Sequence, residues 1–135
     1  EMGFKPRLNL ITRAYQTRHG NGPMSNIDKA HNIKSNPDET NVSNEYQGEF
    51  KISLLDLDLL KYGINKDDYI RNSENKRLFI TCLDHVENEY RFTYKGEIVY
   101  CLNENDFISK ISKILNINDI FVSKTPYSEK IQKFK

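Results

Sequence analysis

The sequence predicts an α/β fold: a mixed sheet with flanking helices and one long loop of the kind that holds substrates. Three observations predict it. Short runs rich in β-branched and aromatic residues ("LNLITRAY", "KRLFITCLD", "YRFTYKGEIVYCL", "DIFVSK") have the composition of strands. Leu- and Ile-rich stretches of helical period lie between them, so strands and helices interleave, which is the pattern of an α/β domain. Residues 16–50 carry no period at all. Loops beyond about 12–15 residues in a compact domain usually serve a function or are disordered.

Taken in order, residues 8–15 read as one strand, with Leu8, Leu10, Thr12 and Ala14 on one side and Ile11, Arg13 and Tyr15 on the other. The loop 16–50 holds Gly20, Gly22, Pro23, Pro37, Gly48 and many Asn, residues that favour turns by local hydrogen bonding or positive φ. Residues 53–62, "SLLDLDLLKY", read as a helix: Ser53 and Asp56 fit a capping box and Gly63 fits the terminating position. The alternation of Leu with Asp over 55–59 also fits a strand, but Leu outweighs β-branched residues and favours the helix. Residues 76–84 read as a buried strand, and 90–102 as a hairpin turning at Lys95-Gly96. Residues 105–115 read as an amphipathic helix with Phe107, Ile108, Ile111, Ile114 and Leu115 inward and Lys110 and Lys113 outward. Residues 119–124 form a last strand, after which Pro126 bends the chain into a polar tail.

Composition narrows the class. With 135 residues the chain suits one domain. A chain of this size buries roughly two-thirds of its unfolded surface on folding. Hydrophobic residues make up 37% and the mean hydropathy is -0.72, polar for a compact domain. Part of the surface is therefore expected to be loop, or to be covered by chain outside these residues. The chain opens Glu1-Met2, and the expectation is that it is a piece of a longer protein. A net charge of +1 argues against a nucleic-acid partner, which calls for a clear basic excess on one face. No apolar run approaches the ~20 residues of a membrane span, and no signal-peptide pattern is visible. Cys82 and Cys101 show no metal-type spacing and read as reduced thiols of a cytoplasmic protein.

Chemistry concentrates in three places. At "TRHGNGP", 17–23, Arg18 is suited to a phosphate or carboxylate, and Gly20 and Gly22 let backbone approach a ligand; a Gly-Pro loop with a solvated arginine is the plainer alternative. At "TCLD", 81–84, Asp84 follows a buried strand where α/β proteins place ligand contacts, and its carboxylate can accept two N–H donors from a purine edge; capping a turn is the plainer alternative. At "SKTP", 123–126, Ser123, Lys124 and Thr125 follow the last strand, where a simple polar turn is equally open. His19, His31 and His85 lack the spacing of a zinc site and read as surface or loop residues, with His19 kept because of its loop. No metal site is expected within the chain. No Gly-x-x-x-x-Gly-Lys phosphate loop occurs in it.

The run "ITRAYQTRHGNGPM", 11–24, resembles the segment "(K/R)AYxTRxGxGPFP" of adenylosuccinate synthetases. Three further landmarks follow in the family's order. "SLLD" at 53–56 is similar to the family's helix start near "WLD". "TCLDHVE" at 81–87 is similar to "TKLDVLDG". "SKTP" at 123–126 is similar to "STGPxR". The resemblance spans residues 1–135 as the C-terminal part of such a domain, with 16–50 as the substrate loop and 51–135 as the base-binding α/β part of a larger P-loop-like ligase. It implies a ligase that joins L-aspartate to inosine monophosphate with GTP, or another purine triphosphate, and Mg²⁺, and that works as a homodimer.

Position by position, the resemblance implies that Arg18, His19 and Gly20 lie by the monophosphate. It implies that Thr40, Asn41 and Lys51 belong to the loop that grips aspartate, and that Asp84, Ser123 and Thr125 bind the base of the triphosphate. The family's arginine-dense "TTGRRRRTG" corresponds here to "YQGEFKI", with Lys51 the only nearby cation, and Cys82 stands where the family has Lys. These departures point to a divergent branch such as the phage-type 2-aminoadenylosuccinate synthetases, which act on a guanine deoxynucleotide, or to a binding remnant without catalysis. The family's phosphate loop, catalytic Asp and catalytic His do not occur in these residues. No catalytic residue is therefore assigned, and the chain alone is expected to be catalytically silent.

Overall fold

A computed structural model describes residues 6–34 and 44–134. The expected strand 8–15 is two strands, β1 (Leu8–Arg13) and β2 (Tyr15–His19), which enter different sheets. Ala14 and Tyr15 are both buried, and two consecutive inward residues break the period of two. The chain bends there and changes sheet, with the Ala14 N–H still donating to the Thr81 carbonyl at 2.8 Å. Residues 16–19 of the expected loop are thus strand.

The helix expected over 53–62 is also corrected. β3 (Phe50–Asp56) takes the first half and α1 (Leu57–Lys66) begins only at Leu57. Ser53, Leu54 and Leu55 are buried in succession, which a strand covered on both faces satisfies. Asp56 is the N-cap, its Oδ1 accepting from the Leu59 N–H at 3.0 Å. Gly63 lies inside α1, not beyond its end. Asp67 separates α1 from a short α2 (Asp68–Asn72), capping it through the Ile70 N–H at 2.9 Å.

The second half follows the sequence closely. β4 (Lys76–Thr81) is shorter than expected, because Cys82 adopts φ 59 and turns the chain into a 3-10 turn at Leu83–His85. β5 (Tyr90–Tyr94) and β6 (Glu97–Cys101) form the expected hairpin. Lys95 and Gly96 have φ 54 and 77, the two positive values that a tight two-residue hairpin turn requires. α3 (Glu104–Leu115) is capped by Asn103, whose Oδ1 accepts from the Asp106 N–H at 2.9 Å. β7 (Asp119–Val122) ends two residues early, and the tail returns as β8 (Gln132–Lys133).

These strands form two mixed sheets where the sequence predicts one, in the orders β1-β4-β7-β8 and β2-β3-β5-β6. In the first, β1, β4 and β7 run parallel and β8 antiparallel. In the second, β3 and β5 are parallel inside antiparallel neighbours. Leu78, Ile80 and Ile120 of the first sheet share one core with Leu55 and Phe92 of the second and with Leu57, Phe107, Ile108 and Ile111 of the helices. Phe92 meets Phe107 edge to face at 5.7 Å.

The other face of the first sheet carries Ile11, Phe79 and Phe121 in register across three strands. The Phe79 and Phe121 rings stack at 4.8 Å, and Arg77 lies over Phe121 while pairing with Asp119 at 2.8 Å. Ile11, on the edge strand, is 72% exposed.

The segment between β2 and residue 34 is held by polar contacts. Asn26 Nδ2 donates to the Leu54 carbonyl at 3.1 Å and to Thr93 Oγ1 at 2.7 Å, and Ser53 Oγ donates to the Ser25 carbonyl at 2.9 Å. Ile33 bridges Val86, the Lys34 N–H donates to the His85 carbonyl at 2.8 Å, and Lys34 pairs with Glu87. The segment therefore ties β3 and β5 to the turn after β4.

Candidate functional site

β4 and β7 are parallel neighbours, so their carboxyl ends lie at the same edge of the sheet. The segments that leave them enclose a pocket of about 440 Å³. Thr81, Cys82, Asp84 and His85 line it from the β4 side. Ser123, Thr125, Pro126, Tyr127 and Ser128 line it from the β7 side. The volume falls within the ~300–1,000 Å³ of small-molecule pockets, and carboxyl ends of parallel strands are where open α/β sheets bind ligands.

The two sides are stitched together by backbone. The Ser123 N–H donates to the Ile80 carbonyl at 2.9 Å and the Leu83 N–H to the Ser123 carbonyl at 3.3 Å. The left-handed turn at Cys82 sends Leu83 into the core, where it is 1% exposed, and leaves Asp84 at the pocket, its side chain 38% exposed. Asp84 Oδ2 stands 3.8 Å from His85 Nε2, and His85 Nδ1 is 2.7 Å from the Tyr15 hydroxyl. A polar chain Asp84–His85–Tyr15 thus runs from the pocket into the core.

Contrary to its reading as a surface or loop residue, His85 has a side chain only 13% exposed. Ser123 is buried and donates its hydroxyl proton to the Thr125 carbonyl at 2.9 Å, so its oxygen faces a ligand as an acceptor. The pocket presents oxygen acceptors and an aromatic ring, a set suited to a polar, N–H-bearing ring system.

The second group lies at the open end of the β2–β3 pair. Arg18 stands directly opposite Lys51. Lys51 therefore lies on a strand instead of in a loop. Like charges facing each other across a sheet repel, and neither cation forms an ion pair among the described residues. The His19 ring packs on Phe50 at 4.8 Å.

Gly20, at φ 83, donates its N–H to the Glu49 carbonyl at 3.1 Å, and Gly48 has φ 71. A Cβ on Gly48 would lie 3.2 Å from the Gly20 Cα, and one on Gly22 would overlap the Arg18 guanidinium. Arg18 therefore lies along the Gly22 backbone, which only glycine permits. Thr40 and Asn41 lie outside the described residues.

The structure thus brings Asp84, Ser123 and Thr125 into one pocket, and Arg18, His19, Gly20 and Lys51 to another place; none of the latter lines the pocket. The strand β2, which carries both Tyr15 and Arg18, links the two. Sequence reasoning missed Tyr15, His85 and Tyr127. The first two lie within the runs at 11–24 and 81–87 but were given no role there, and an aromatic residue next to "SKTP" was a usable signal for the third.

Among the described residues no group of three or more His, Cys, Asp or Glu is placed to hold a metal ion, and no helix is long and apolar enough to cross a membrane. No known protein family and no curated protein matches the chain.

Proposed function

We propose that the chain is the base-binding, C-terminal portion of a purine nucleotide ligase of the adenylosuccinate synthetase type, which joins L-aspartate to inosine monophosphate with GTP hydrolysis. One observation carries the reading: Asp84 and Ser123, far apart in sequence, meet at the carboxyl ends of adjacent parallel strands in one nucleoside-sized pocket. That convergence is what the resemblance requires, and it supports the reading.

In this reading the Asp84 carboxylate accepts the N–H donors on one edge of the purine, and the Ser123 and Thr125 oxygens complete the polar wall. Arg18 and Lys51 offer two cationic donors to the anionic group of the second substrate, the monophosphate or the aspartate. Phosphoryl transfer needs a phosphate cradle, Mg²⁺ and a positioned nucleophile. In this reading those parts are supplied by polypeptide outside these residues. The chain by itself binds and does not turn over.

The phage-type variant, acting on a guanine deoxynucleotide, is favoured by one feature. Lys51 is the sole cation facing Arg18, and one ammonium does not reproduce a bidentate guanidinium grip. Turnover of the complete enzyme with each monophosphate separates the two.

The test of the common reading is Asp84→Ala in the complete enzyme, with triphosphate affinity measured by calorimetry. Hydrogen bonds to a charged group contribute about 1.5–3 kcal/mol, so affinity is expected to fall roughly 10- to 150-fold. An unchanged affinity for every purine triphosphate removes the pocket from the site.

A further inference from the structure

We infer that Tyr127 is the stacking platform of the pocket, and that a planar base lies with one edge on Asp84 and one face on the Tyr127 ring. The inference rests on the nucleotide reading above and adds a residue that the resemblance does not assign. Asp84 supplies only in-plane acceptors, from the β4 side. A base held by one edge is free to swing about that edge, so a wall parallel to its plane is needed to fix it. Tyr127 is the aromatic residue on the β7 side of the pocket, across from Asp84, and at 56% exposed it is open to a ligand.

The backbone that carries the ring is fixed, and a cation lies against the ring. The Tyr127 N–H donates to Thr125 Oγ1 at 3.3 Å, and the Tyr127 carbonyl accepts from the Lys130 N–H at 3.1 Å. Lys130 Nζ lies 5.1 Å from the ring centroid. Lys130 lines the adjoining cavity and not this one. The cation sits against the ring from outside the residues that line the pocket, and the stacked base takes the ring face that the cation does not cover. A tyrosine has few rotatable bonds, and one pinned in this way loses little freedom when a base stacks on it.

The experiment compares the chain with Tyr127→Leu, Tyr127→Phe and Asp84→Ala, using GTP as the probe. Affinity is read by calorimetry and the base H8 proton by NMR. Stacking predicts about a tenfold loss of affinity for Tyr127→Leu, near wild-type affinity for Tyr127→Phe, and an upfield H8 shift that only an aromatic ring at 127 produces. Wild-type affinity in Tyr127→Leu together with weakened binding in Asp84→Ala overturns the stacking role and leaves the pocket standing. Failure of the wild-type chain to bind GTP overturns both. Tyr127 is exposed, so its replacement leaves the core untouched, and matching thermal unfolding of the variants checks this.

Discussion

Tyr15 and His85 are seventy residues apart and meet in a hydrogen bond of 2.7 Å, with their rings stacked at 5.8 Å. The bond fixes the His85 ring, and the ring stands beside Asp84. Tyr15→Phe keeps the packing and removes the bond. Its expected cost is about 1 kcal/mol of stability, the usual net value of one hydrogen bond, read from the urea midpoint.

A second effect separates this contact from a merely structural one: under the proposed ligase reading, Tyr15→Phe in the complete protein is expected to weaken triphosphate binding without altering monophosphate binding. The positions of Asp84 and Ser123 after β4 and β7 were legible in the sequence because each follows a strand in a short contiguous motif. His85 was not, because its burial depends on a tyrosine in another sheet. Two other titratable groups show how burial acts in this fold: desolvation, joined by the Glu104 carboxylate, pushes Tyr90 up to about 12, and burial pushes the Cys101 thiol up to about 11.

Among the elements, α3 has the most legible boundaries, and its first turn is where acid acts. Asp106 accepts from the Leu102 N–H at 2.9 Å and from Lys110 Nζ at 2.7 Å, and the Lys110 bond above all holds its carboxyl below the usual carboxylate range. A carboxyl that is harder to protonate when folded adds stability above its unfolded pKa, about 3.9, and loses it as the pH falls through the lowered folded value. Asp106→Asn is therefore expected to lower the urea midpoint at pH 7, with the gap from wild type closing as the solution is acidified below that range. A gap independent of pH would assign the effect to packing.

The hairpin and α3 were readable because Lys95-Gly96 and the spacing of Phe107, Ile108 and Ile111 are local signals. The β3–α1 junction was misread because Leu alternating with Asp satisfies both periods. What decides it is tertiary: β3 is paired on both sides by β2 and β5, which needs a strand wherever Ser53, Leu54 and Leu55 are buried.

For the molecule as a whole, the class was legible and the division into two sheets was not, since one bend at Ala14 decides it. Among the described residues β1 is the edge strand of the first sheet, and a groove lined by Asn9, Leu10, Ile11 and Thr12 runs along it, with Leu59, Leu60 and Ile64 of α1 opposite. No Pro or Lys guards the interior of this strand, and unguarded edges pair with other chains. Ile11→Lys is expected to suppress concentration-dependent association of the chain while leaving its melting temperature within about 2 °C, the range of a surface change. Light scattering over a concentration series checks it.

The same strand has a history in time as well as a place in space. Leu8 pairs with Lys76, and β4 in turn with β7, which begins at Asp119. A ribosome adding about 5–20 residues per second takes roughly 3–14 s to make the 68 residues between the first two partners. Lys76 leaves the tunnel later than Leu8 by the same delay, during which Leu8, Leu10 and Ile11 are outside it without their β4 partners. The nascent chain, more than the finished fold, is the state in which this strand meets chaperones or its own neighbours on a polysome.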